Sequence, residues 1–371
     1  MADITINNVV IHELVKEQHQ SIQPSNMRPT VLDPTNEIVL KLVDGITSLY
    51  GTRNNSAHYG TFRTGVGRGV FPDSFGTYAG NASPNNTEFM ALTQVAMEEL
   101  YRKAELSQAA SGGYILFADY SGAQTRFFMV AMIKQKDGIR LSENLEPEEL
   151  TELDMNRLYQ AARVNFGKLA AYLAASEAER QELSYLSFVS PSAGRTAAGY
   201  FVTALGCAPG AASARATDTL VKESTAFFRN NEALNSYRKR FKDDLLAYLK
   251  GKEEIKQSVK LTEVEELARQ YMPADEIGQV DDLANAFISH LNSEEHAVPI
   301  EFPVNKGVLK KHTHISYSAD NWDLKFERHA LGVTDAAQIY YDRENNRITI
   351  RDLPENLVEK INEELENRPV E

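Results

Sequence analysis

Apolar and polar residues alternate at the start of the chain, which is the pattern of a β-strand with one buried face. The alternation covers residues 4–16, and short apolar runs that suit buried strands follow at residues 113–120 and 125–133. The link between these two runs contains Gly122. Because a glycine in a short link favours a tight turn, the two runs predict a β-hairpin.

A second pattern, with apolar residues three and four positions apart, predicts amphipathic helices. It occurs twice before the hairpin and three times in the middle of the chain, at residues 36–50, 86–107, 154–175, 217–229 and 233–250. The stretch 60–80 is rich in glycine and predicts an irregular loop.

Strand-like alternation returns near the end of the chain, at residues 308–318, 322–327, 338–342 and 347–351. An acidic helix is predicted from Pro354 to Glu366. We therefore predict an α+β fold with an N-terminal α/β portion, a helical middle and a small C-terminal antiparallel sheet. The predicted domains are 1–180 and 181–371, the second helical to about residue 295 and then β-rich with a final helix.

Charge and hydropathy narrow the class of protein. No run approaches the roughly 18–20 apolar residues of a membrane span, and the alternating start does not resemble a signal peptide. With one cysteine, Cys207, an internal disulfide is excluded, so we expect a cytoplasmic protein with no membrane partner. The net charge of −13 by itself favours protein partners over nucleic acid. Local basic clusters can still bind DNA, because binding depends on where the charges lie.

Two such clusters occur. The first contains Arg238, Lys239, Arg240 and Lys242 in a predicted helix, where it forms either a solvated helix face or a surface that contacts phosphate. The second contains Lys306, Lys310 and Lys311, followed by His312 and His314, in a predicted strand region. A two-stranded ribbon with such residues can enter a DNA groove, but lysines at a sheet edge also serve to block aggregation.

The sequence contains no recognisable catalytic motif. Gly65, Gly67 and Gly69 do not complete a GxGxxG or P-loop pattern, although Arg63 and Arg68 keep phosphate binding open as the less favoured interpretation. The eight histidines include no metal-binding spacing, and His58 is interpreted as a loop residue. Cys207 is interpreted as a small buried apolar residue. We expect no metal, no cofactor and no catalytic residue.

Several segments together resemble the 37-kilodalton nucleoid-associated protein family of bacteria. The resemblance is collinear over nearly the whole chain, and it departs from the family in the glycine-rich segment 63–86. The segments that carry it are residues 4–16, 57–62, 140–145, 185–189, Gly194-Arg195, Tyr200-Phe201, 205–207 and 353–357.

The resemblance implies a nucleoid protein that binds double-stranded DNA with little sequence specificity and catalyses no reaction. It also implies contact with type II topoisomerase subunits, and Arg195 is the family-like position for a phosphate contact; a structural role for this arginine is the alternative. A homodimer is expected because two-fold symmetry matches a duplex. The alternative function is an acidic protein-interaction factor that modulates topoisomerases without strong DNA binding. A weaker alternative is a nucleic-acid enzyme, which would need carboxylates that hold Mg²⁺.

Overall fold

A computed structural model describes residues 4–122, 125–190, 199–210, 212–273, 277–334 and 336–367. The chain divides into two compact units, Met1–Val304 and Asn305–Glu371, and each is described by itself. The α+β class predicted from the sequence is confirmed, including a small sheet near the C-terminus. Within the described residues, every helix is too short or too polar to cross a membrane.

The strands of the first unit form one large sheet and two small pairs. In chain order they are β1 Ile4–Leu14, β2 His58–Phe62, β3 Gly113–Gly122, β4 Thr125–Ile133, β5 Gln135–Leu141, β6 Pro147–Leu153, β7 Gln160–Asn165, β8 Leu186–Val189, β9 Cys207–Pro209, β10 Ser258–Lys260 and β11 Glu301–Pro303. The large sheet has the order β1-β3-β4-β7-β8-β2-β9, and its neighbouring strands are antiparallel. β5 pairs with β6, and β10 pairs with β11.

Helices surround this sheet and form the middle of the chain. They are α1 Glu37–Leu49, α2 Phe71–Gly80, α3 Asn86–Glu105, α4 Phe166–Ala174, α5 Glu177–Arg180, α6 Gly199–Ala204, α7 Ser213–Asn230, α8 Arg238–Glu254, α9 Leu261–Arg269 and α10 Ile277–Leu291. The start of α3 is fixed by a capping box, because Asn85 accepts from the Glu88 backbone and Glu88 accepts from the Asn85 backbone.

The large sheet is buried on both faces, and this explains its apolar sequence. Along β3, Ile115 and Phe117 pack into one hydrophobic cluster, whereas Leu116 and Ala118 pack into the other. The first cluster is completed by α2, α3 and α6, and the second by α1. Both strands of the predicted hairpin are confirmed, since β3 pairs with β4 from Tyr114↔Ile133 to Gly122↔Thr125.

Two predictions in this unit were wrong. Residues 154–175, predicted as one helix, contain strand β7 and then α4, because all six residues of β7 are buried between β4 and β8. The glycine-rich loop is shorter than predicted, since α2 occupies Phe71–Gly80 and buries Phe71, Phe75 and Tyr78 at helical spacing. The remaining loop has positive φ angles at Gly65, Gly67 and Gly69, of 72°, 84° and 76°.

The large sheet also crosses the domain boundary that we expected at residue 180. β8 pairs with β7 and β2, and β9 pairs with the other side of β2, so residues after 180 complete the sheet. The division between the compact units lies instead after Val304.

The helical middle has its own aromatic core and is fastened to the sheet by polar contacts. Phe228 stacks on Phe241 with ring centroids 3.9 Å apart. Just after α10, the Asn292 side chain accepts from the Ala57 backbone at 2.6 Å and donates to its carbonyl at 2.9 Å. Glu294 accepts from Arg163 at 2.7 Å and from Asn165 at 3.1 Å, and both of these residues belong to β7.

The second unit contains α11 Lys306–Thr313, β12 His314–Ser318, β13 Asp323–Glu327, β14 Leu331–Gly332, β15 Ile339–Asp342, β16 Arg347–Ile350 and α12 Glu355–Glu366. β12 and β13 form one hairpin, and β15 and β16 form another. The small sheet β14-β15-β16 is mixed, because β14 runs parallel to β15. The strand predicted at residues 308–318 was wrong up to Thr313, because the Asn305 side chain caps a helix by accepting from the Val308 backbone at 3.0 Å.

Candidate nucleic-acid interface

The first basic cluster lies at the beginning of α8, as the sequence predicted for a helix. Phe241, Leu245 and Leu249 define the buried face of this helix. Arg238, Lys239 and Arg240 are exposed in its first turn, and Lys242 is half-buried. We call these four residues the α8 cluster. Its members spread around the helix end and do not share one face.

Electrostatics at this end of α8 favour an anion. The helix N-terminus carries a partial positive charge, and no acidic residue lies in the first turn to neutralise it. Among the described residues, Arg238, Lys239 and Lys242 form no ion pair, and the Arg240 guanidinium lies 6.0 Å from the centre of the Tyr271 ring. Positive charge is therefore concentrated here although the whole chain is acidic.

The second basic cluster has a different geometry from the predicted ribbon. Lys306, Lys310 and Lys311 belong to α11 and are exposed, and we call them the α11 cluster. Lys306 and Lys310 are one helical turn apart, so they lie on the same side of the helix. His312 is helical and His314 begins β12, so the strand region predicted to contain both histidines was wrong for His312.

The same unit carries an exposed aromatic pair that sequence reasoning missed. Tyr317 near the end of β12 and Trp322 just before β13 are 62% and 51% exposed, and their ring centroids are 5.6 Å apart. Exposed aromatic rings can stack on unpaired bases. The signal in the sequence was a lone tryptophan in a polar turn, flanked by Asn321 and Asp323.

The remaining residues singled out in the sequence add little to the candidate interface. Arg195 lies outside the described residues. In the glycine-rich loop, Arg68 pairs with Asp73 at 2.9 Å, which occupies one of the two cations considered for phosphate binding. Cys207 is buried, and burial raises the pKa of its thiol although the nearby charge of Arg63 opposes this shift. The prediction for His58 was wrong: it belongs to β2, stacks on Phe188 at 5.0 Å, and has its pKa lowered to about 4 by burial.

An acidic surface lies at the end of the second unit. Helix α12 contains five glutamates and one lysine, and all of its residues are exposed. Leu357, Ile361 and Leu365 are 41%, 42% and 58% exposed and follow one another at the spacing of a single helix face. The helix therefore presents an apolar stripe between acidic flanks.

Comparison of the amino-acid sequence with known proteins identifies the class of this protein as nucleoid-associated. A family model described as nucleoid-associated protein YejK matches residues 10–358, and the chain belongs to this family. The resemblance seen in the sequence is thereby confirmed.

Bacterial relatives match over almost their full length. A nucleoid-associated protein of Metapseudomonas resinovorans is 24% identical, and the match covers 96% of this chain and 98% of the relative. One of Azotobacter vinelandii is 25% identical, with 96% and 97% covered. One of Pseudomonas aeruginosa is 24% identical, also with 96% and 97% covered.

Proposed function

We propose that this protein binds double-stranded DNA in the bacterial nucleoid, in the cytoplasm, with little sequence specificity and without catalysis. One observation carries the proposal: two clusters of exposed basic residues stand out on a chain whose net charge is −13. Arginine and lysine bind phosphates of any sequence and release counterions when they do so. The names of the relatives, each a nucleoid-associated protein, support the same function.

The distribution of carboxylates argues against one reaction only, phosphodiester hydrolysis by two Mg²⁺ ions. In the described part of the chain, one group of three side chains brings possible metal-ligand atoms together, namely Glu223, His290 and His296. Only one of these three is a carboxylate. Hydrolysis of a phosphodiester by two Mg²⁺ ions would need several carboxylates at one place.

Charge reversal in either cluster is expected to weaken DNA binding and its dependence on salt. We would titrate a fluorescent duplex of about 30 base pairs at roughly 50–200 mM salt and measure anisotropy. For Arg238→Glu/Lys239→Glu and for Lys310→Glu/Lys311→Glu, the slope of log K against log salt should fall by about 2, at ~0.9 per lost contact. Quenching of Trp322, the single tryptophan, gives an independent signal from the second unit.

The matched control is Arg28→Glu/Lys41→Glu, which changes the net charge equally at exposed positions outside both clusters. Its slope should equal that of the wild type. No binding of the wild-type protein at low salt would refute direct DNA binding. Equal weakening by all three variants would show that total charge matters and that the two clusters are not the contact surfaces.

A homodimer fits the proposal, because an isologous pair presents each basic cluster twice along a duplex. The surface that supports it is the apolar stripe of α12, together with Ile348 and Ile350 of β16, which are 41% and 46% exposed. The glutamates of α12 and the arginines Arg347 and Arg351 have opposite charges, so α12 of one protomer complements β16 of another.

Ile361→Glu is therefore expected to dissociate the dimer, because it places a carboxylate in the centre of the apolar contact. The dimer dissociation constant should rise about tenfold or more, equivalent to about 1.4 kcal/mol. Sedimentation velocity across a range of concentrations measures it. Asn356→Glu, on the opposite side of α12, is the matched control and should leave the constant unchanged. A wild-type protein that sediments as a monomer at all concentrations would rule the dimer out.

The second candidate function is an acidic interaction factor that modulates type II topoisomerases, and the exposed helix α12 is the observation that favours it. A pull-down with purified topoisomerase subunits tests it. Retention that persists when DNA is digested, and that is lost on removal of the α12 charges, would favour this function over direct DNA binding.

A further inference from the structure

Two histidines and a glutamate from separate segments converge in the helical middle. Glu223 lies in α7, His290 lies in the last turn of α10, and His296 follows a few residues later. The His290 Nε2 is 3.3 Å from the Glu223 Oε2, and the His296 Nδ1 is 3.7 Å from the same oxygen. All three ligand atoms lie within 4.8 Å of one another.

We propose that these three side chains form a binding site for Zn²⁺. Imidazole nitrogen and carboxylate oxygen are preferred zinc ligands, with bond lengths of roughly 2.0–2.2 Å. Two ligands of a tetrahedral ion with such bonds are separated by about 3.3–3.6 Å. The separations of 3.3 and 3.7 Å are close to these values, so small movements would complete the coordination.

The contacts within this group are long for hydrogen bonds, as expected of ligands without their ion. The His290 Nε2 is buried, and its contact with the Glu223 carboxylate at 3.3 Å is the polar contact it makes among the described residues. The centroids of the two imidazole rings are 4.3 Å apart, so the two histidines lie next to each other. A buried nitrogen with a weak polar contact is poorly satisfied, and a bound cation would satisfy it better.

The group is partly exposed to solvent, and hydrogen bonds hold the turn that carries the two histidines. The side chains of His290, His296 and Glu223 are 31%, 17% and 27% exposed, so one side of the group opens to solvent. Ser293 holds the turn that joins the histidines: its hydroxyl donates to the His290 carbonyl at 2.9 Å and accepts from the His296 backbone at 3.3 Å. Zn²⁺ would tie α7 to the end of α10, next to the contacts that Asn292 and Glu294 make with the sheet.

The test uses the full-length protein after treatment with EDTA. We expect titration calorimetry with ZnCl₂ to give one ion per chain, and Co²⁺ to give the visible absorption bands of tetrahedral coordination. His290→Asn, His296→Asn and Glu223→Gln should each weaken Zn²⁺ binding by about tenfold or more, as loss of a single supporting residue already does in zinc sites.

His329→Asn is the control, because His329 also pairs with a carboxylate, Glu327, at 3.0 Å, but it is 80% exposed, and the described residues place no third ligand beside it. This variant should bind Zn²⁺ as the wild type does. Unchanged binding by the His290 and His296 variants, or loss of binding in the His329 variant, would overturn the proposal. Absence of saturable Zn²⁺ binding by the wild type would also overturn it.

Chemical modification of the wild-type protein tests the site without any substitution, so its result does not depend on whether the variants fold. Diethyl pyrocarbonate modifies accessible imidazoles, and peptide mass spectrometry locates the modified residues. Zn²⁺ should protect His290 and His296 and leave His329 as reactive as before. Equal modification of the three histidines with and without Zn²⁺ would refute the site.

Discussion

Glu294→Ala is expected to lower the free energy of unfolding by roughly 3–5 kcal/mol, the usual cost of removing one partner of a buried ion pair. Glu294 accepts from Arg163 at 2.7 Å and lies 3.0 Å from the Lys168 ammonium group. The Arg163 side chain is only 10% exposed, and its guanidinium lies over the Tyr50 ring at 4.1 Å. Without Glu294, this buried cation would lose its counter-charge.

Urea denaturation followed by circular dichroism measures the loss. The control is Glu148→Ala, which removes another arginine–glutamate pair, Arg140–Glu148 at 3.0 Å, whose side chains are 62% and 45% exposed. Since exposed pairs contribute about 0–1 kcal/mol, this variant should be nearly as stable as the wild type. Equal losses for the two variants would show that burial of Arg163 is not what makes the contact strong.

The contacts of Glu294 also make the free energy of unfolding depend on pH. Burial would raise the pKa of Glu294, but Arg163 and Lys168 outweigh burial and hold the pKa below its ordinary value of 4.5. The ionised carboxylate therefore contributes its full stability above pH 4.5, and the contribution is lost as the pH falls through the folded-state pKa. The difference between wild type and Glu294→Ala should shrink in that acidic range and stay constant at higher pH.

Asp119→Ala is the second substitution with a large expected effect, again roughly 3–5 kcal/mol of unfolding free energy. Asp119 is fully buried on β3 and accepts four hydrogen bonds: from Asn7 at 2.9 Å, from the Tyr78 hydroxyl at 2.5 Å, and from Arg126 at 3.0 and 2.6 Å. These donors belong to β1, α2 and β4. Removing the carboxylate would leave a largely buried arginine and a buried hydroxyl without a partner.

Asp119→Asn separates charge from shape, because it keeps the size and part of the hydrogen bonding, and it should cost less than the alanine variant. Asp73→Ala provides the control: it breaks an exposed pair with Arg68 and should cost about 1 kcal/mol or less. Thermal unfolding monitored by calorimetry compares the three variants. A loss for Asp119→Ala as small as that for Asp73→Ala would mean that water replaces the carboxylate.

Local pattern was sufficient to predict those parts of the fold in which local and tertiary preferences agree. The alternation in β1, the β3–β4 hairpin and the helical spacing in α3 were all visible, because each element shows its buried face in its own residues. Residues 160–165 do not show such a face. Their sequence, QAARVN, has no strong preference for a strand, and they form one because they pair with β4 on one side and β8 on the other.

In the candidate site, too, local sequence pattern placed some residues correctly and others wrongly. The α8 cluster was placed on a helix correctly, since Phe241, Leu245 and Leu249 show the helical period. The α11 cluster was assigned to a strand region. The helix starts at a cap in which the Asn305 side chain accepts one hydrogen bond, and the apolar pattern of the sequence does not show this cap. Glu223 and the two histidines are far apart in the sequence, so only the packing of α7 against α10 brings them together.

The attachment of the helical middle to the sheet has a consequence for how the protein opens. Asn292 and Glu294 lie in one short turn, where Asn292 bonds to the Ala57 backbone and Glu294 accepts from the Arg163 guanidinium. Because these contacts share a turn, we expect them to break together, so that the helical middle detaches as one cooperative unit while the sheet stays folded. Acid protonates Glu294 and so weakens its contact with Arg163. We therefore expect the population of the detached form to rise as the pH falls.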